Sequence, residues 1–214
     1  PAVDDLESNI QIQSVSGFGT TAFDVLRMAA QTIAFRNRRN CVKAYIESLR
    51  WDGIDRIEHF FADHVGADGT LYTRAAGRNF WISIVARVYQ PGCQCDHMIV
   101  LEGAQGIGKS AAVRIIGGPW FTEQHESATG KGFFEVLQGK LIVEISEMGS
   151  FDRAEVTRVK QIVTCTSDRF RASYGRHAQD HPRQCVFVGT TNRDDWNRDE
   201  TGARRFWPIQ CRDI

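Results

Sequence analysis

The chain has 214 residues, of which 42% are hydrophobic and 24% charged, a size and balance that suit one large globular domain or a core with an appendage and exclude a disordered chain. No apolar run approaches the length of a membrane span. Lysine plus arginine and aspartate plus glutamate each number 26, so contact with nucleic acid must come from a local basic patch, not from the field of the whole chain.

The first residues, PAVDDLESN, carry acids and lack both an initiating Met and the basic and apolar regions of a signal peptide. We expect a trimmed piece of a longer cytosolic chain. From Thr21 to about Arg38 apolar residues (Phe23, Leu26, Ile33) recur at helical spacing, and Val42, Ile46 and Leu49 continue the pattern past a polar break. Asp52-Gly53 marks a turn, Ile54 to His64 predicts another helix, and Leu71 to Tyr89 predicts a long buried one ended by Pro91-Gly92. Residues 1–91 therefore read as a helical N-terminal region.

Beyond Pro91 the rhythm changes to short β-rich runs, MIVLE at 98–102, KLIVEIS at 140–146 and QCVFVGTT at 184–191, separated by helical stretches, with FWPIQ as a final strand. That alternation predicts an α/β core over 92–214, a parallel sheet flanked by helices. The six cysteines (41, 93, 95, 165, 185, 211) form no dense framework of the disulfide-stapled kind, which points to a reducing cytosol. Cys93, Cys95 and His97 alternate like metal ligands, but no second pair stands at a recognised spacing; buried thiols beside a strand are the simpler reading.

The strongest local signal is GAQGIGKS, which matches G-x-x-x-x-G-K-[ST] between an apolar strand and a helix-compatible run. Its glycines let backbone N–H groups converge on phosphate at a helix N-terminus. The expected nucleotide-binding set is Gly103, Ala104, Gln105, Gly106, Ile107, Gly108, Lys109, Ser110 and Ala111. Lys109 would reach the β- and γ-phosphates of ATP, and Ser110 would place its hydroxyl on Mg²⁺. An acid is then needed at the end of a neighbouring strand: Glu147 just past GKLIVEIS is ranked first, as magnesium or water-orienting acid, with Glu144 in support. Asn192 after the third run would orient the attacking water, and Arg204 or Arg205 would stabilise transition-state charge in a neighbouring subunit or simply solvate a loop.

Between the second and third runs lies DRFRASYGRHAQDHPR, basic and aromatic at once. Arg169, Arg171, Arg176 and His177 would track phosphates while Tyr174 stacks on bases, with Tyr174-Gly175 as the turn of a projecting hairpin; an ordinary solvated loop is the alternative.

These motifs in this order, from YIESLRWDG through GAQGIGKS, LQGKLIVEISEM, PRQCVFVGTTNRD and TGARRFWPI, resemble the virulence-associated protein E (VirE-type) family of phages and mobile elements, related to superfamily 3 helicases. The resemblance spans roughly residues 41–211. It implies a P-loop NTPase core of the AAA+/superfamily 3 kind and a helical N-terminal region. It also implies a role in replication of mobile DNA, with ATP and Mg²⁺ as cofactors. Lys109 and Ser110 would then belong to the Walker A loop, Glu147 to Walker B, Asn192 to sensor 1 and Arg204 or Arg205 to an arginine finger. The implied partners are single-stranded or forked DNA, further copies of the chain in a ring such as a hexamer, and primase or other replication proteins, all in the cytoplasm of a bacterial host. Members of the superfamily often carry a Lys at the hairpin tip, where this chain has Arg176 and His177, and many have an apolar residue in place of Glu144. A nucleotide-gated binding switch and, third, a small-molecule P-loop kinase would use the same phosphate loop.

Overall fold

The computed structural model describes residues 23–37, 39–124, 131–171, 177–193, 196 and 203–212. The chain divides into two compact units between Ser48 and Leu49. The first contains α1 (Phe23–Arg36) and α2 (Cys41–Ser48), the second being started by Asn40, whose Oδ1 accepts from the Lys43 amide at 3.1 Å.

The second unit begins with α3 (Phe60–Val65) and α4 (Leu71–Tyr89). The sequence placed the boundary at Pro91; in the structure both helices lie in the unit that holds the sheet, and α4 packs against the strands Met98–Glu102 and Val186–Thr191 and buries Ala76, Phe80, Ile84 and Val88. Its other side leaves Leu71, Ile82, Val85 and Tyr89 exposed, so α4 is buried on one face and not all round as predicted. The helix expected over 54–64 shrinks to its last turn and a half. Asp52 accepts from the Ile54 amide (3.1 Å) and holds Arg56 through both carboxylate oxygens (2.8 and 2.7 Å), local bonds that compete with a helical start.

The core then runs β1 (Met98–Glu102), α5 (Lys109–Gly117), β2 (Phe121–Gln124), α6 (Lys131–Val136), β3 (Ile142–Ile145), α7 (Arg153–Thr164), β4 (Ser167–Phe170), β5 (Gln179–Pro182), β6 (Val186–Thr191) and β7 (Phe206–Gln210). Five strands form one parallel sheet in the order β2-β3-β6-β1-β7. β1, β3 and β6 are buried at every residue, which is why they read as largely apolar runs without a polar alternation. β7 lies at an edge, the place in a sheet where Pro208 can be accommodated.

Strand parity sorts the two faces. Met98, Val100, Val143, Ile145 and Phe187 pack with Phe133 and Leu137 of the α6 region and with Val156, Val159 and Ile162 of α7. The alternating residues Ile142, Glu144, Val188 and Thr190 face the other side, where α5 packs against β2, β3 and β6. Outside this sheet, β4 and β5 make an antiparallel ribbon with Asp168 opposite His181. Its root is held by Arg183, whose Nε donates to Asp168 Oδ2 (3.0 Å), Nη2 to Asp168 Oδ1 and Nη1 to the Ile162 carbonyl, with the guanidinium 5.2 Å above the Phe187 ring. The two side chains are 1% and 2% exposed.

Candidate functional site

The glycine loop leaves β1 at the C-terminal edge of the sheet, where ligands of open α/β sheets bind. Its first residue sits against the β7 exit: the Cys211 amide donates to the Glu102 carbonyl (2.7 Å), and a Cβ on Gly103 would lie 2.6 Å from the Cys211 carbonyl oxygen. Only glycine fits there. Gly108, with φ of +97°, turns the chain into α5, and no side chain caps that helix, so its leading N–H groups are free of a competing cap. Ala104, Gln105, Gly106 and Ala111 are exposed, whereas Ile107 folds beneath Gly103.

Lys109 points back over the loop. Its Nζ donates to the carbonyls of Gly103 (2.8 Å) and Ala104 (2.7 Å) and to Asn192 Oδ1 (2.9 Å). All three donors of the ammonium are used, each on a neutral acceptor. Burial holds its pKa below the ordinary lysine value.

One helical position on, Ser110 Oγ donates to Glu144 Oε1 at 2.5 Å, and Thr190 Oγ1 donates to the same oxygen at 2.8 Å. Glu144 is fully buried and its Oε2 has no hydrogen-bond partner. Burial pushes its pKa up, against the two hydroxyl bonds that favour the carboxylate. The contact with Ser110 thus falls to the acid that the sequence ranked second. Glu147 is exposed on the rim of the cleft, where it opens the 3₁₀ turn Met148–Ser150. It is the single described non-glycine residue with positive φ (+55°), a conformation disfavoured for side chains beyond glycine, asparagine and aspartate.

The resulting cleft has a volume of about 330 Å³ and is bounded by Lys109, Ser110, Glu123, Glu147, Thr190 and Asn192 among others. The sequence reading missed Glu123, because β2 (FTEQ) is four residues long and half-buried, without the apolar signature of its neighbours. Among the described residues no three His, Cys, Asp or Glu side chains converge as metal ligands. One buried carboxylate with an orphan oxygen beside a serine hydroxyl suits Mg²⁺, which takes one or two carboxylates and completes its shell with phosphate and water.

Arg204 is exposed and Arg205 half-buried on the turn Ala203–Arg205 leading into β7, and neither lines the cleft. On the ribbon, Arg169 is paired with Asp180 (3.0 Å) while Arg171 and His177 are exposed. Tyr174 and Arg176 lie outside the described residues. Cys95 donates to the His97 carbonyl (3.7 Å); the His97 ring stacks on Trp207 at 3.9 Å with Nε2 3.1 Å from Ser83 Oγ. Packing engages these side chains. No helix among the described residues is long and apolar enough to cross a membrane.

Comparison with known proteins adds the following. No curated protein sequence matches the chain. Two solved structures of the NrS-1 C terminal region are similar, both A form apo structures. One, of CTR(305-718), has a TM-score of 0.47 and 22% identity over 65% of this chain and 34% of that one. The other has a TM-score of 0.48 and 24% identity over 66% and 35%. The chain thus spans about a third of the length of either. The model of the virulence-associated protein E-like domain matches residues 46–214, and the chain belongs to that family.

Proposed function

We propose that the chain is a P-loop ATPase whose hydrolysis drives work on DNA, as a helicase-like motor in the replication of phage or mobile-element DNA. The observation that carries this reading is the junction of Lys109, Ser110, Glu144, Thr190 and Asn192, from three separate segments, at the C-terminal edge of a parallel sheet. A loop that merely turned would not need a buried acid under its serine.

ATP would lie along the glycine loop with its β- and γ-phosphates on the α5 amides and on Lys109, whose ammonium trades carbonyl partners for anionic oxygens. Ser110, backed by Glu144, would hold Mg²⁺, which offsets phosphate charge during transfer. Glu147 and Asn192 flank the same cleft and would orient the water that attacks the γ-phosphorus, Glu147 accepting its proton as the bond to the ADP oxygen breaks. Asn192 loses its Lys109 partner when the lysine turns to phosphate, which frees its amide for that task. Arg204 or Arg205, remote from their own cleft, would serve the cleft of a neighbouring copy, and the β4–β5 ribbon would contact the DNA strand.

The test is ATPase rate with and without single-stranded DNA, measured alongside oligomeric mass. A motor turns over faster on DNA and assembles. A nucleotide-gated switch shows slow turnover that DNA does not accelerate, and a kinase consumes ATP only with its acceptor. Mixing Lys109→Ala protein with an Arg204→Ala, Arg205→Ala double variant restores activity if the arginines act across an interface.

A further inference from the structure

This inference rests on the nucleotide-site reading above. β2 and β3 run in parallel with Glu123 in register with Glu144, so the two carboxylates leave neighbouring strands about 4.8 Å apart on the same face. Arg114, in the last turn of α5, comes down on that face with Nη2 3.5 Å from Glu123 Oε2. Its charge also acts on Glu144. Glu123 borders the same cleft as Ser110, and beside it the buried Glu144 keeps one oxygen without a hydrogen-bond partner.

Two adjacent carboxylates repel each other unless a cation stands between or beside them. Arg114 touches the outer one, through a long contact from a side chain that is 64% exposed, and reaches Glu144 only at a distance. That contact is weak enough to exchange. We infer that Glu123 is a second acid of the magnesium–phosphate site, acting with Glu144 on the cation or its water shell, and that Arg114 is the competing counter-ion that holds Glu123 when the cation is absent.

The pair predicts shifts of opposite sign, which separates this role from structural damage. Purified full chain is titrated with ADP and Mn²⁺, bound Mn²⁺ being read by electron paramagnetic resonance and ADP affinity by calorimetry with and without the metal. Glu123→Gln should weaken Mn²⁺ binding in the ADP complex by about 10–100-fold, the range for residues that support a metal from behind its ligands, with ADP affinity in chelator unchanged. Arg114→Gln should tighten Mn²⁺ binding severalfold, since it removes a cation that competes for Glu123. If Glu123→Gln leaves Mn²⁺ affinity as it was while Glu144→Gln lowers it, or if both the Glu123 and Arg114 variants shift it in the same direction, the inference is wrong and the nucleotide reading stands. A wild-type chain with no affinity for ADP overturns both.

Discussion

The root of the β4–β5 ribbon and the region of the cleft beside Lys109 both bury charge, but they answer it differently. At the root, Arg183 and Asp168 neutralise each other in a two-pronged pair, and the remaining guanidinium donor finds the Ile162 carbonyl. In the cleft, Lys109 meets only neutral acceptors, and Glu144 meets only hydroxyls through one oxygen. Lys109 lines the cleft and Glu144 lies buried behind Ser110, and the three donors of the lysine are spent on other groups. The first arrangement fixes a position; the second leaves the lysine and the acid each without a hydrogen-bonded counter-ion.

That contrast can be broken most forcefully at the root. Asp168→Ala should destabilise the fold by ~3–5 kcal/mol, because it strands a buried guanidinium. The double change Asp168→Leu with Arg183→Met should recover most of the loss, since a buried pair replaced by apolar groups of similar volume is often neutral. Urea melts of the three proteins decide it, and equal melts would mean that the pair is not the root's anchor.

The cleft should behave the other way, losing activity without losing stability. Lys109→Ala and Glu144→Gln should each lower ATP turnover by about 10²–10³-fold, comparable to removing one transition-state donor. Glu144→Gln should also melt higher than wild type near neutral pH. Burial raises the folded-state pKa of Glu144, so its neutral form is the one the fold tolerates; stability is complete below the unfolded pKa and falls as pH rises through the folded one. The amide escapes that loss, and the two melting curves should converge in acid. A gap that widens in acid would contradict the assigned shift.

The smallest effect belongs to the segment that follows β4 in the sequence. Tyr174→Ala with Arg176→Ala should weaken single-stranded DNA binding by ~1–3 kcal/mol for each base stacked, with ATP affinity unchanged. Fluorescence anisotropy across a salt series measures it. Unchanged affinity would confine the ribbon to a structural role.

How far the sequence carried each region follows from how local its signals are. GAQGIGKS is contiguous, and its glycines must turn where they stand, so the loop and α5 were legible from residue order alone. The three buried strands announced themselves by being mostly apolar, with Glu144 and the Thr190-Thr191 pair as the polar exceptions. The order of the acids was not legible. Which of Glu144 and Glu147 meets Ser110 depends on the face that α5 covers, a fact of topology, and on the left-handed turn at Glu147, which no neighbouring residue type announces. Glu123 was hidden for the same reason, since its place beside Glu144 comes from register with β3 and not from its own segment. The α3 error was one of local competition, where the Asp52–Arg56 bonds overrode a hydrophobic spacing suited to a helix.

Pro208 on β7 has a consequence for self-association. A parallel sheet ends in rows of unpaired amides and carbonyls, and identical copies held side by side offer one another the template for runaway strand addition. Here one border carries an imide in place of a donor, and the other is a strand of only four residues. Two copies brought border to border would therefore meet through side chains and not through a fused backbone ladder.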